Sequence, residues 1–157
     1  MVTVKPKTRI RMALTGVGET HARTRVTTRD VATLVDEPLA RGGTNTAPSP
    51  TETLMASLIA CTNVITQRIA ARDGVRIASL VVDAQALLDR RGAALEEEIE
   101  TPFSDIRLEI RIATDATPEQ LETIKSDLTR FCPIAKVIRG SGVPIAETWI
   151  VSPLAAS

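Results

Sequence analysis

A long apolar segment, residues 54–69, directly follows a helix start signal and limits the folds open to this chain. Ser49 is placed to be the N-cap, Pro50 suits the first helical position, and Glu52 completes a capping box with Ser49. Apolar or small residues then occupy nearly every angular position around the helix. The sequence therefore predicts that residues 49–73 form a central helix, surrounded by other elements rather than buried on one face.

The flanking segments show strand patterns. Residues 8–48 have the composition of β-strands, interrupted at Gly16–Gly18, and end in a loop rich in Gly, Pro and Ser. We expect an N-terminal β-meander followed by that loop. Residues 77–112 are predicted to form a β-hairpin. Its second strand alternates strictly between apolar and charged residues, and the predicted buried face consists of Ile106, Leu108, Ile110 and Ile112.

The C-terminal part, residues 117–151, is predicted to hold a second helix, a Cys-Pro turn and a final strand. Thr117 and Gln120 repeat the capping-box pattern, and Pro133 ends or kinks the helix. The inner face of this helix is assigned to Leu121, Ile124, Leu128 and either Phe131 or Cys132. These elements predict an α+β fold with residues 1–157 in a single domain.

Composition argues against several classes of partner. The 19 basic and 19 acidic residues are scattered, and only three aromatic residues occur, so neither a basic patch nor a stacking platform for nucleic acid is expected. A single histidine, His21, argues against a zinc or iron site and is expected to be exposed. No uninterrupted apolar run reaches the ~20 residues of a membrane span, and no secretory signal pattern occurs. We therefore expect a cytoplasmic protein without nucleic-acid, membrane or metal partners.

The two cysteines, Cys61 and Cys132, are candidates for redox chemistry. In a reducing compartment such thiols are either used chemically or buried as small apolar residues. Cys61 lies too far along its helix for the helix N-terminus to activate it, so a thiolate there needs a cation from elsewhere. Two packed helices can bring inward-facing cysteines to the Cα separation of a disulfide, about 4.4–6.8 Å. Spacing in the sequence leaves both alternatives open.

Several motifs together resemble the signature of the OsmC/Ohr family. They are Asp36-Glu37-Pro38, Gly42 to Asn45, Pro48 to Glu52, Leu54 to Thr62, Arg91-Gly92 with the strand that follows, and Cys132-Pro133-Ile134. The resemblance extends from about Arg9 to Val151. Because separate motifs occur in the same order, it is far more specific than either cysteine alone.

The resemblance implies an OsmC-like fold, with curved antiparallel sheets around central helices, and an intertwined homodimer with active sites at the subunit interface. It also implies a thiol-dependent peroxidase. Cys61 attacks a peroxide and becomes a sulfenic acid, and Cys132 condenses with it to a disulfide. An external dithiol reductant, such as a lipoyl group, resets the pair, and no bound cofactor is implied. Aliphatic surroundings favour organic hydroperoxides, with hydrogen peroxide as a further substrate.

Three more residues are candidates for the catalytic site: Arg25, Arg23 and Glu52. The two arginines share one face of a predicted strand, and a guanidinium there would hold Cys61 as a thiolate. In the organic hydroperoxide resistance branch a Glu follows the second proline of the motif, but this chain has Thr51. Glu52, one residue later, matches the more general OsmC-like pattern. A helix-capping role explains Glu52 equally well, and solvent exposure explains each arginine.

A function of a different class is the alternative. The chain would keep the OsmC-like fold, use its cysteines only as core residues, and bind a small apolar ligand at the dimer interface. Thr51, in place of the expected Glu, is the observation that favours this alternative.

Overall fold

The computed structural model describes residues 8–155 and shows an α+β fold with two small sheets and three α-helices. In chain order the elements are β1 (Thr15–Gly18), β2 (Thr24–Thr28), β3 (Val31–Val35), a short 3-10 helix (Leu39–Arg41), α1 (Pro50–Arg72), β4 (Ile77–Leu88), β5 (Phe103–Thr114), α2 (Pro118–Phe131), α3 (Pro133–Gly140) and β6 (Ile145–Ser152). The elements form two compact units, one ending at Leu54 and one beginning at Met55. The α+β class is confirmed, whereas a single domain stays a prediction.

The N-terminal unit holds an antiparallel meander in the order β1-β2-β3, as predicted. Gly16 and Gly18 do not interrupt a strand, because both lie within β1 and pair with β2. The turn comes later, where the hydroxyl of Thr20 accepts hydrogen bonds from the backbone N–H groups of Ala22 and Arg23. Residues 9–14 have strand composition but form no strand. Composition alone missed the turn because Thr20 makes it through its side chain.

Asp36 organises the loop between β3 and α1. Its side chain is fully buried. The carboxylate accepts hydrogen bonds from the hydroxyls of Thr44 at 2.6 Å and Thr46 at 3.0 Å, and from the backbone N–H groups of both residues. The hydrogen bond from the Thr44 hydroxyl, reinforced by those from Thr46, holds the pKa of Asp36 well below its ordinary value. A residue expected only to end a strand is thus the anchor of the loop.

Gly43 lies against the backbone of Glu37 in the same loop. A Cβ atom on Gly43 would be 1.7 Å from the carbonyl oxygen of Glu37 and 2.7 Å from its Cα. Neither contact atom is the movable end of a side chain. The N–H of Gly43 also donates to the carbonyl of Pro38 at 3.2 Å. Only glycine allows this approach of two backbone segments.

The predicted capping box starts α1. The backbone N–H of Ser49 donates to the Glu52 carboxylate at 2.7 Å, and the N–H of Glu52 donates to the Ser49 hydroxyl at 3.4 Å. The Ser49 hydroxyl also donates to the same carboxylate at 2.8 Å. These bonds satisfy groups at the helix start that have no partner within the helix.

The C-terminal unit is built on the sheet β4-β5-β6, in which β4 pairs antiparallel and β6 pairs parallel to the central β5. The expectation of antiparallel sheets is therefore wrong for β6, because the helices α2 and α3 lie between β5 and β6 in the chain and allow a parallel return. The predicted inner face of β5 is confirmed, since Ile106, Leu108, Ile110 and Ile112 are each at most 2% exposed. Its charged residues face the other side, where the side chain of Arg111 pairs with Asp83 on β4. The alternating pattern predicted this face correctly because one face of β5 is buried and the other is not.

The buried residues of α2 and its C-cap match most of the predicted inner face. Ile124, Leu128 and Cys132 are buried, and Leu121 is half-buried. Of the two alternatives at the helix end, Cys132 points inward and Phe131 is 51% exposed. The guanidinium carbon of Arg130 lies 5.1 Å from the centre of the Phe131 ring. The predicted Thr117–Gln120 capping box is present at the helix start.

The helix α1 differs from the prediction of an element surrounded on all sides. Its buried residues form one stripe, Leu58, Thr62, Thr66, Ile69 and Ala70, whereas Leu54 and Val64 are 39% and 44% exposed. Its length and composition alone would also allow it to span a membrane, although the sequence predicted no span. A central helix of a globular protein meets the same criterion, and Leu58 and Ile69 belong to the core of the C-terminal unit.

Replacing Gly43 tests the loop geometry. Gly43→Ala is expected to lower the free energy of unfolding by more than about 2 kcal/mol, because backbone must move to admit the Cβ. Urea denaturation followed by circular dichroism measures the change. Gly140→Ala is the matched control, since a Cβ there meets no atom within 4 Å. Equal destabilisation by the two substitutions would contradict the close approach at Gly43.

The buried Asp36 predicts a specific response to acid. In the unfolded chain this carboxyl binds a proton near its ordinary pKa, about 3.9, whereas in the folded protein it does so only at lower pH. Its contribution to stability is therefore complete above that ordinary pKa and is lost as the pH falls below it. Asp36→Asn is expected to flatten the fall in unfolding free energy between about pH 5 and about pH 2.

Urea denaturation at a series of pH values measures this slope. Asp30→Asn, at an exposed position in the turn after β2, is the control and is expected to keep the slope of the original protein. An Asp36→Asn variant as acid-sensitive as that control would show that the Thr44 and Thr46 hydrogen bonds do not stabilise the fold.

Candidate active site

Two cysteines meet in the core of the C-terminal unit. Cys61 lies in the middle of α1, and Cys132 lies between the last residue of α2 and the first of α3. Their Sγ atoms are 3.1 Å apart, with the thiol of Cys132 donating toward the sulfur of Cys61. Both are free thiols in this structure. The separation is about 1 Å longer than a disulfide bond, so a small movement joins the sulfurs.

Pro133 determines the local geometry of Cys132. A residue before proline avoids the helical region, and Cys132 is extended, with φ −70° and ψ 108°. The chain therefore leaves α2 at this residue and starts α3 with Pro133 at its first position. The N–H of Cys132 still donates to the carbonyl of Leu128 at 3.0 Å, and its Sγ accepts from the N–H of Ala135 at 3.5 Å. One residue thus caps two helices.

The two thiols differ in exposure. Cys61 is partly exposed, whereas Cys132 is completely buried. Burial raises the pKa of Cys132 to about 11, and the neighbouring sulfur of Cys61 acts in the same direction. The hydrogen bond from Ala135 opposes this rise but does not cancel it. At neutral pH Cys132 is therefore a protonated thiol that donates to Cys61.

The surroundings of the pair are mostly apolar. Cys132 belongs to the hydrophobic core, and Cys61 packs against that core. An open cavity of about 240 Å³ is lined by residues that follow Cys61 on α1 and by the residue before Cys132: Ile65, Arg68, Ile69, Arg72 and Phe131. Ile65, Arg68 and Arg72 follow Cys61 at helical spacing, so all four share one stripe of α1. The sequence predictions missed this stripe, although the i+4, i+7 and i+11 spacing was readable.

The predicted arginines, Arg23 and Arg25, lie in the N-terminal unit. Their Nε atoms both approach the carboxylate of Glu19, at 2.9 Å and 2.6 Å, so the two side chains share one side of the strand, as predicted. Arg25 is at the start of β2 and Arg23 directly precedes it. A role for either guanidinium in activating Cys61 stays a prediction.

Glu52 has a clear local function as the capping partner of Ser49. The N–H and hydroxyl of Ser49 together lower the pKa of the Glu52 carboxyl, with the backbone N–H as the larger cause. Thr51 lies beside it, with its hydroxyl 3.3 Å from that of Ser49. A catalytic role for Glu52 stays a prediction.

His21 is exposed, as expected, and its Nε2 is 3.3 Å from the position of a Cβ on Gly42. Among residues 8–155, no group of three or more His, Cys, Asp or Glu side chains is arranged to hold a metal ion.

Known proteins of one family resemble this chain in sequence and in structure. A sequence model of the family described as OsmC-like protein matches residues 43–148, a range that includes both cysteines. No curated protein sequence matches the chain.

Solved structures share the fold at low sequence identity. An OsmC-like protein from Mycoplasma pneumoniae has a TM-score of 0.75 and 15% identity, with 92% of this chain and 98% of that chain covered. A Legionella pneumophila protein described as organic hydroperoxide resistance protein OsmC has a TM-score of 0.61 and 17% identity, with 93% and 99% covered. An organic hydroperoxide resistance protein from Elizabethkingia anophelis, with thiocyanate bound, has a TM-score of 0.64 and 19% identity, with 94% and 99% covered.

The difference between the thiols predicts their order of modification. At neutral pH, iodoacetamide is expected to alkylate Cys61 well before Cys132, because Cys132 is buried and stays protonated. Mass spectrometry of the peptides at increasing times measures both sites. In a Cys61→Ser variant, Cys132 should remain unmodified over the same period. Labelling of both cysteines at equal rates would contradict the assigned environments.

Proposed function

Because the chain belongs to the OsmC-like protein family, we propose that it is a thiol-dependent peroxidase that reduces organic hydroperoxides. Cys61 is the attacking thiol and Cys132 the resolving thiol. The observation that carries this proposal is the 3.1 Å separation of their sulfurs in an apolar environment. Two thiols kept only as core residues need no such proximity, whereas disulfide formation requires it.

The difference in exposure supports this assignment of roles. A peroxide must first reach a thiolate, and Cys61 is the partly exposed sulfur. Cys132 is buried and its pKa is raised to about 11, so it is poorly suited to attack first. Its S–H group instead donates to the Cys61 sulfur, the atom with which it would form the disulfide.

The proposed reaction has two oxidative steps. The Cys61 thiolate attacks the terminal oxygen of the hydroperoxide, the O–O bond breaks, and the alkoxide takes a proton and leaves as an alcohol. Cys61 is thereby oxidised to a sulfenic acid. The Cys132 sulfur then attacks the Cys61 sulfur, an S–S bond forms, the S–O bond breaks, and the Cys132 proton leaves with the hydroxyl as water. An external dithiol, such as a lipoyl group, returns both sulfurs to thiols by exchange.

Apolar surroundings favour an organic hydroperoxide over hydrogen peroxide, which we regard as a secondary substrate. The open cavity that begins one helical turn beyond Cys61 is lined by Ile65, Ile69 and Phe131, together with two arginines whose stems are aliphatic. Such a surface gains free energy by covering an alkyl or aryl group. Two structurally similar proteins are also described as organic hydroperoxide resistance proteins.

We further propose that the protein acts as a homodimer with curved sheets enclosing the cysteine helices. Exposed apolar residues on α1, such as Leu54 and Val64, are unfavourable in water and would be covered by a second copy. Arg23, Arg25 and Glu52 are proposed to complete the site, with a guanidinium stabilising the Cys61 thiolate.

The second candidate function is a binding module for a small apolar ligand. It is supported by Thr51, which stands where the organic hydroperoxide resistance branch has Glu, and by the same apolar cavity. In that case the cysteines would serve only as core residues.

Thiol counting separates these functions. Reduced protein mixed with one equivalent of cumene hydroperoxide is expected to lose both titratable thiols and to yield one equivalent of alcohol. Cys61→Ser should consume no peroxide, whereas Cys132→Ser should stop at a sulfenic acid that dimedone traps. Chromatography of the alcohol and mass spectrometry of the protein measure the products. Two thiols retained in the original protein would overturn the peroxidase and favour the binding module.

A further inference from the structure

The C-terminal unit joins α1 and α2 at a second place besides the cysteines. Arg72, the last residue of α1, extends its Nη2 atom to the carboxylate of Asp127 on α2, at 2.8 Å. Arg72 lies about 16 Å along α1 from Cys61, or about three helical turns. On the other side of this contact, Asp127 is five residues from Cys132. The two contacts therefore join α1 to α2, or to the residue directly after it, at two separate places.

An open cavity of about 240 Å³ at the surface is lined by Ile65, Arg68 and Ile69 of α1 together with Phe131 of α2. Side chains that border such an open cavity constrain the relative rotation of two helices less than the close-packed core does. A contact outside the close-packed core can therefore contribute to the angle between the helices, and hence to the approach of the sulfurs.

Asp127 has the properties of such a constraint. It is a charged residue only 7% exposed, and it accepts from the guanidinium groups of Arg72 at 2.8 Å and Arg130 at 3.0 Å. The bond to Arg130 stays within α2, whereas the bond to Arg72 crosses to α1. Arg72 also pairs with Asp73 directly after α1, where its Nε atom lies 2.6 Å from that carboxylate. Because Arg130 belongs to α2, Arg72 is the cation that links this nearly buried carboxylate to α1.

We propose that Arg72 and Asp127 form a positioning latch that sets the angle between α1 and α2 and so brings Cys61 and Cys132 into position for disulfide formation. This inference rests on the proposed redox function of the pair. Neither residue touches the substrate or the sulfurs, so both act through helix placement. Because a misplacement of 1 Å can slow or weaken a reaction between oriented groups by about 100-fold, a small change of angle has a measurable effect.

The test is the equilibrium of the cysteine pair with glutathione, which needs no peroxide. Reduced protein and oxidised glutathione exchange to give the protein disulfide and two reduced glutathione molecules, and the equilibrium constant reports how well the thiols are positioned. Asp127→Asn and Arg72→Gln are each expected to lower this constant about tenfold. The double variant should be no worse than either single one, because both remove the same contact. Asp127→Glu should restore most of the constant.

Two control variants each remove one ion pair of Arg72 or Asp127 that does not join α1 to α2. Asp73→Asn removes the partner of Arg72 that directly follows α1, and Arg130→Gln removes the partner of Asp127 within α2. Both are expected to keep the equilibrium constant within about twofold of the original protein. If a residue only stabilised the fold, its substitution would destabilise the reduced and oxidised forms equally. The free energy of unfolding would then fall, and the equilibrium constant with glutathione would not change. Urea denaturation of both forms separates these effects.

The outcomes are distinct. A lower constant in Asp127→Asn and Arg72→Gln, with both controls unaffected, supports the latch whether or not peroxide is consumed. Arg72→Gln is the safer variant, because the side chain of Arg72 is half exposed and its replacement is less prone to unfold the protein. An unchanged equilibrium constant in this variant overturns the latch and leaves the peroxidase proposal standing. Failure of the original protein to form the disulfide with glutathione overturns the latch and the proposed resolving step together.

Discussion

The C-terminal unit depends on the inner face of β5. This strand pairs with β4 on one edge and β6 on the other, so its row of isoleucine and leucine side chains must be covered by helices. Leu58 of α1 and Ile124 and Leu128 of α2 lie in the same core, and they determine which sides of the two helices face inward. Cys61 packs against this core and Cys132 lies within it. The burial of β5 thus determines where both thiols project.

Within that frame, one proline makes the two thiols chemically different. Pro133 prevents Cys132 from continuing α2, so this residue becomes a cap, with its sulfur buried beneath the start of α3. Burial outweighs the hydrogen bond from Ala135, and the thiol stays protonated. Cys61, inside a regular helix, keeps part of its surface exposed. The order of the proposed reaction follows from this difference. The accessible Cys61 sulfur reacts with the peroxide, and the buried Cys132 sulfur then reacts with the sulfenic acid of Cys61.

The motifs of the N-terminal unit have mainly structural roles. Asp36 accepts hydrogen bonds from the hydroxyl and backbone N–H groups of two threonines. Gly43 allows two backbone segments to approach closely, and the capping box of Ser49 and Glu52 starts α1. Each part of the Asp-Glu-Pro, Gly-Gly and Pro-Ser-Pro sequence therefore serves the loop that leads into the cysteine helix. The family resemblance therefore includes residues that shape this loop as well as the two cysteines that carry the proposed chemistry.

Sequence patterns were enough to predict the elements whose signals are local: the two capping boxes, the alternating face of β5, the meander and the break at Pro133. These depend on neighbouring residues along the chain, so periodicity and turn chemistry suffice. The patterns misplaced the first turn and predicted that α1 is buried on all sides, because a side-chain hydrogen bond and the distribution of partners around a helix leave no periodic signal. The inward orientation of Cys132 rather than Phe131, the 3.1 Å separation of the sulfurs and the contact of Arg72 with Asp127 emerge only in the folded structure. Such contacts join residues far apart in the chain, and their geometry follows from how helices pack on a sheet.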